Sequence, residues 1–423
     1  MIIQMNEQNQ PVIAIYVGYG ASHSWTWFAD IFEKFGCYNV KFIDEADVEK
    51  GLLTDCNVFF ISGGDTFAIA EGLGKSGAEE IERFVINGGV YIGSCAGAYL
   101  PLRSSLKPLN DFNFVYSPIT NLTKNLPLPV RKAEKFCTEY GCQYVFHPVR
   151  EEVKIKFKGC YEDKVVKAPL YGGPGLLPSE DIDVLAVYDD FTEKTEFLID
   201  EKTARETIIG SVAAAKKNLG QGIFFLFGPH FEHPEFEDAN KILFDIIFNF
   251  ASRSRQSIIA HSTADHTDPG RIKKLYKKFL SEVSNSRIIA LSLERSSYKW
   301  LIGRKVYDPE KIRVFLETIW SRARGLDNKE AYLYIKEDEI IELIEYLELI
   351  KETLRFLKNS QDQPEDSVKN ATQLFFNLRE ATAKFLKIYF RYKNNSITDE
   401  QRRKQCTLIN SISKQRHCST PSL

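Results

Sequence analysis

Apolar residues come in short unbroken runs through the first hundred positions, and the runs close on glycine or serine. Val12-Ile13-Ala14-Ile15-Tyr16-Val17, Asn57-Val58-Phe59-Phe60-Ile61-Ser62 and Val90-Tyr91-Ile92 show no polar alternation. That is the pattern of strands covered on both faces of a sheet. A shorter run, Asn39-Val40-Lys41-Phe42-Ile43, lies between the first two. The intervening stretches read as helices. One runs from Trp25 to about Phe35 with Ser24 placed to cap it, and one from about Ala78 to Ile86 is stopped by Asn87-Gly88-Gly89. Strands alternating with helices predict an α/β fold on a doubly wound, mostly parallel sheet with right-handed crossovers.

After Lys107 the pattern loosens. Prolines at 108, 118, 127, 129 and 148 break helices, and Glu152–Phe157 alternates like a half-exposed antiparallel strand. Val184–Tyr188 and Thr195–Ile199 read as further strands, Ser211–Lys217 and Ile223–Phe227 as a hairpin about Gly220-Gln221-Gly222, and Ala239–Phe250 as a helix. Beyond the polar stretch that follows, apolar positions recur at helical spacing over 271–283, 309–324, 329–359 and 367–392. The expected organisation is an α/β domain over 1–252, a linker over 253–270, a helical domain over 271–395 and a flexible tail over 396–423.

Composition narrows the function classes. Lys and Arg number 55 against 57 Asp and Glu, a formal net charge of -2, so no global basic field draws the chain to nucleic acid or anionic lipid. The basic run Arg271–Lys278 reads as a solvated helix face. No apolar run approaches the ~20 residues of a membrane span, and the first ten residues lack the basic and apolar regions of a signal peptide. The eight cysteines form no CxxC pair, and no histidines at ligand spacing join them. Reduced thiols, a cytoplasmic location, and neither metal nor cofactor are the expectation.

Chemistry concentrates at Gly93-Ser94-Cys95-Ala96-Gly97. A strand that enters a Gly-x-Cys-x-Gly turn and then a helix is the cysteine form of a nucleophile elbow. The glycines let neighbouring backbone crowd the turn, and the helix N-terminus favours a thiolate at Cys95. Such a thiolate needs a base, a group to orient the base, and N–H donors for the oxyanion. His230 follows the Ile223–Phe227 strand, with Glu232 two residues on. His233 and Glu235 repeat the spacing, and one site holds only one of the pairs. His230 is preferred as nearer the strand end. Gly63 and Gly64, after the second buried strand, are candidate oxyanion donors together with Ala96.

These stretches resemble the class I glutamine amidotransferase-like superfamily, and within it the domain at the N-terminus of eukaryotic biotin–protein ligases and in stand-alone prokaryotic proteins. The matching segments are Gly18-Tyr19-Gly20-Ala21-Ser22, Ser62-Gly63-Gly64-Asp65, Gly93–Tyr99, Tyr171-Gly172-Gly173-Pro174 and Gly228-Pro229-His230-Phe231-Glu232, spread over about residues 10–250. The resemblance implies a flavodoxin-like sheet and a Cys95, His230, Glu232 triad acting on a C–N bond of a small amide. It also implies Gly20, Gly63, Gly64, Ala96, Tyr171 and Gly172 around the substrate. Phe231 stands where the family commonly has proline, and no Gly-Arg-Gly-Arg-type biotin-adenylate motif occurs, so ligase activity is not implied. A non-catalytic ligand-binding or regulatory module that keeps the pocket is the alternative, since a fold does not fix a function. In either case the C-terminal helices are candidates for contacting a protein partner.

Overall fold

The computed structural model describes residues 10–126, 128–129, 142–159, 164–251, 268–295, 298–359 and 364–396. Cys137, Cys160, Cys406, Cys418, His261, His266 and His417, most of the expected linker and the expected tail fall outside these residues. The chain divides into two units. One comprises residues 1–37, 43–257 and 397–423, and the other residues 38–42 and 258–396.

A nine-stranded mixed sheet is drawn from residues 13–227. Its strands are β1 (Ile13–Tyr16), β2 (Val40–Ile43), β3 (Val58–Ile61), β4 (Val90–Ser94), β5 (Glu152–Phe157), β6 (Val165–Pro169), β7 (Asp183–Phe191), β8 (Val212–Leu219) and β9 (Gly222–Phe227), in the spatial order β2-β1-β3-β4-β9-β8-β7-β5-β6. Strands β1, β3, β4 and β9 run parallel. From β9 onward every neighbour is antiparallel. The unbroken apolar runs thus mark the parallel half, and the mostly parallel sheet expected from them is joined to an antiparallel extension. Alternation in that extension fits strands such as β5, whose side chains change between buried and solvent-facing.

Helices cover the parallel half. Helix α1 (Thr26–Lys34) lays Phe28 and Phe32 on Phe60 of β3, with ring centroids 4.4 and 5.8 Å apart. Each such buried ring contributes roughly 1.5–3 kcal/mol. Ser24 does not cap α1. It lies buried, with its hydroxyl against Ser62 and the Gly63 carbonyl. After the short α2 (Glu45–Glu49) comes α3 (Thr66–Ile86), which begins twelve residues before the periodicity showed. The Asp65 carboxylate caps it by accepting the Phe67 and Ala68 N–H groups, and Gly74, at φ 58° and ψ −169°, interrupts it. Glycines at 72 and 74 hid its first half. Further helices are α4 (Ala96–Tyr99), α5 (Glu201–Ile208) and α6 (Glu237–Ala251). The run read as a strand over 195–199 is extended only at Glu196–Phe197.

The second unit contains α7 (Pro269–Leu293), α8 (Pro309–Ala323), α9 (Glu337–Asn359) and α10 (Pro364–Ser396). Asp268 and Asp308 cap the first two, each ahead of a proline in the first turn. Phe279 stacks on Phe385 at 5.7 Å, and the Tyr276 hydroxyl donates to the Ala323 carbonyl at 2.7 Å. A hairpin of Trp300–Ile302 and Lys305–Tyr307, unforeseen from the sequence, separates α7 from α8. No helix among the described residues is long and apolar enough to cross a membrane.

Candidate active site

The loops leaving β1, β3, β4 and β9 meet at the C-terminal edge of the parallel strands. Cys95 sits at the turn from β4 to α4 with φ 50° and ψ −107°. A non-glycine residue held there is strained, at a cost of about 1–3 kcal/mol, so the surroundings must impose it. A Cβ on Gly93 would stand 2.1 Å from the Gly97 carbonyl oxygen, and one on Gly97 would stand 1.9 Å from that of Ile61. The Cys95 N–H is held by Phe227 O of β9 at 3.0 Å, and the Gly97 N–H by Ser62 O at 3.2 Å. Only backbone without side chains fits so close. The helix beyond is four residues long, ending before Leu100 and Pro101. Its dipole is correspondingly small, and the nearest cation is an imidazole.

That imidazole belongs to His230. It hydrogen-bonds the Cys95 side chain, and its Nδ1 lies 2.7 Å from Glu232 Oε1. Residues two apart on extended chain face the same way, which aims the carboxylate at the ring. Glu232 is wholly buried and also meets the Ser62 hydroxyl at 2.7 Å and the Ser94 hydroxyl at 2.9 Å. Burial opposes charge on His230, but the adjacent carboxylate and the sulfur outweigh it and lift the ring to about 9. For Glu232, burial pushes upward while His230 and then Ser62 pull harder, leaving the carboxyl below its ordinary value.

The sign of the resulting pH dependence follows. A group raised from 6.5 to about 9 stabilises the fold in full below 6.5 and loses that contribution as pH climbs through about 9. The interval corresponds to about 3 kcal/mol. Urea denaturation between pH 7 and 10 should show a fall larger by about that amount in the parent than in His230→Asn. Equal falls would mean that the ring carries no extra proton.

His233 stands apart from this line. Its Nδ1 lies 3.4 Å from the Glu235 N–H, and its ring packs on Trp27 at 4.5 Å. Burial and then the charge on His230 push it down to about 4. It is therefore a neutral neighbour.

The other sequence-predicted positions are backbone features. A Cβ on Gly63 would reach within 2.8 Å of the His230 ring, so glycine there lets the imidazole close on the loop. Gly64 and Gly20 pass at backbone contact, with the Gly20 carbonyl accepting the Asp65 N–H at 2.9 Å. The Tyr171 carbonyl lies 3.7 Å from the Cys95 sulfur, and its hydroxyl donates to Glu151 at 3.0 Å. The Gly172 carbonyl accepts from the Tyr99 hydroxyl at 3.1 Å, and Asn121 Nδ2 in turn donates to that hydroxyl at 2.8 Å. Among the described residues no cluster of three His, Cys, Asp or Glu side chains offers a metal cage.

Sequence reasoning missed Trp27, Ser62, Ser94, Tyr99 and Asn121. Trp27 sets its ring edge-on to His230 at 5.2 Å and 6.2 Å from Tyr171. Position in the sequence alone gave it only a helical role. The two serines ended strands, and that shared placement was the available signal.

Comparison with known proteins bears on this edge of the sheet. Residues 12–105 match the family described as Biotin-protein ligase, N terminal. The matched stretch of that ligase N-terminal family runs from β1 through the Cys95 turn and ends well before β9 and the loop that carries His230. A comparison with curated proteins finds no match. Among solved structures, a beta-galactosidase from Bacillus circulans sp. alkalophilus aligns at 13% identity and TM-score 0.28, over 55% of this chain and 31% of its own. A second beta-galactosidase, from Rahnella sp. R3, aligns at 12% identity and TM-score 0.30, over 55% and 31%. A ThuA-like protein from Bacteroides uniformis aligns at 15% identity and TM-score 0.29, over 53% of this chain and 85% of its own. The chain spans under a third of the galactosidases' length, and likenesses this low carry no weight for function.

Proposed function

We propose that the chain is a cysteine-dependent hydrolase or amidotransferase-like enzyme acting on a C–N bond of a small amide. The observation that supports it best is the position of His230, hydrogen-bonded to Cys95 on one side and to a buried carboxylate on the other. In this reading Cys95 is the nucleophile, His230 the base and then the acid, and Glu232 the group that orients the ring. The sulfur adds to the amide carbon while the oxyanion takes the Gly64 and Ala96 N–H groups. The C–N bond then breaks, His230 gives its proton to the departing amine, and an acyl-thioester remains. Water, deprotonated by His230, cleaves the thioester to release the acid and restore the thiol. The balance is amide plus water to acid plus amine.

The order β2-β1-β3-β4-β9 in the parallel half supports a flavodoxin-like, glutamine amidotransferase-like classification. In this reading residues 1–252 form the catalytic domain, residues 271–395 a helical domain, and the reduced thiol works in the cytoplasm. The experiment is covalent labelling by an electrophilic glutamine analogue, located by peptide mass. The parent should be modified at Cys95 and Cys95→Ala should not. Equal labelling of Cys95→Ala rejects the assignment. An inert Cys95 thiol in a protein that binds a small ligand stoichiometrically would replace the enzyme with a binding module.

A further inference from the structure

Glu232 faces an unusual set of neighbours for a buried carboxylate. Oε1 meets His230 Nδ1 and the Ser62 hydroxyl, each at 2.7 Å, and Oε2 meets the Ser94 hydroxyl at 2.9 Å. The two serines come from the ends of adjacent parallel strands, and both are buried with the carboxylate. An ionised carboxylate only accepts, so each hydroxyl must donate to it. The Ser62 oxygen also lies 2.8 Å from Ser24 Oγ, whose own proton faces the Gly63 carbonyl at 3.4 Å. Two hydroxyls and one imidazole thus face the carboxylate, all placed to donate to its charged form.

We propose that Ser62 and Ser94 are positioning residues that keep Glu232 ionised as pH falls, and so set the acid limit of Cys95 reactivity. The idea rests on Cys95 and His230 acting as described above. A hydroxyl donating to an anion favours it over its neutral acid, and losing the donor raises the carboxyl's proton affinity. Once Glu232 takes a proton, the charged ring loses its buried counter-charge, and with it the geometry that holds it to the sulfur. The effect belongs to low pH. At pH 7 the carboxylate stays charged with or without a serine. The other titratable groups facing this cluster are His233 near the carboxylate and Tyr99 and Tyr188 near the sulfur. Burial keeps both tyrosines neutral throughout this range, and His233 is uncharged above about 4.

The test is the rate of Cys95 alkylation by iodoacetamide in the full chain from pH 4 to 10, read at the Cys95 peptide. In Ser94→Ala and Ser62→Ala the rate relative to the parent should fall as pH drops from 7 to 4. Each should move the acid limb up by about one pH unit, the scale of a lost charge-assisted hydrogen bond. The rate relative to the parent therefore falls progressively toward the acid end of the range, by up to about tenfold at its limit. In a Glu232→Gln background the serine substitutions should move nothing further, because the group they act through is gone. An unmoved acid limb in both single variants overturns the proposal, as does a uniform fall at all pH values or additivity with Glu232→Gln. A parent protein unlabelled at Cys95 would instead overturn the enzymatic reading, so the two failures are distinguishable.

Discussion

Glu232→Ala should lower the stability of the α/β unit by about 3–5 kcal/mol, the cost of removing one partner from a buried charge pair. The carboxylate is fully buried and holds the His230 ring and two serine hydroxyls. Alanine leaves the Ser94 hydroxyl short of its acceptor, at about 1–3 kcal/mol for a buried group left unsatisfied, while Ser62 can turn to Ser24. It also leaves the sulfur as the ring's remaining counterweight to burial, which lowers the ring's proton affinity. The loss should therefore be accompanied by an imidazole titration shifted down from about 9, read by NMR. Urea denaturation measures the first effect. A loss under about 1 kcal/mol would mean that water reaches the carboxylate.

Gly97→Ala should be as damaging for a purely steric reason. The new methyl would stand 1.9 Å from the Ile61 carbonyl oxygen and 2.6 Å from its carbon, atoms fixed in β3. No side-chain rotation relieves that contact, so strands β3 and β4 must part at the elbow. The expected cost is about 3 kcal/mol or more, above the usual range for overpacking because backbone opposes backbone. Thermal unfolding gives the readout, with Gly325→Ala as control, since nothing lies within 4 Å of a Cβ there. Labelling of Cys95 should fall together with stability. A variant as stable as the control would refute the tight passage at this turn.

The parallel half of the sheet and the Cys95 turn were legible because their physics is local. A strand covered on both faces must be apolar without interruption, and a turn squeezed between two backbones must lack side chains. Each demand writes itself into adjacent residues such as Val58–Ile61 or Gly93 and Gly97. The antiparallel half was harder. Its strands were visible one by one, but the order β9-β8-β7-β5-β6 rests on pairings between residues tens of positions apart. The same distance hid the support of Glu232. Ser62 and Ser94 lie 170 and 138 residues from it in the chain, and each reads locally as a small residue ending a strand. Spacing likewise could not separate His230 from His233, since both carry a carboxylate two positions on. Their surroundings differ instead: both rings touch Trp27, but one meets the Glu232 carboxylate and the other the Glu235 backbone N–H.

Strand β9 has a place in the sheet that its place in the chain does not suggest. It is the last of the nine to be made, yet it lies in the middle, hydrogen-bonded to β4 on one side and β8 on the other. On the ribosome, the strand ending at Ser94 therefore waits with one hydrogen-bonding flank bare while more than a hundred further residues emerge. A bare, apolar flank is where chains pair with the wrong neighbour. A truncation upstream of Gly222 leaves that flank uncovered and should aggregate.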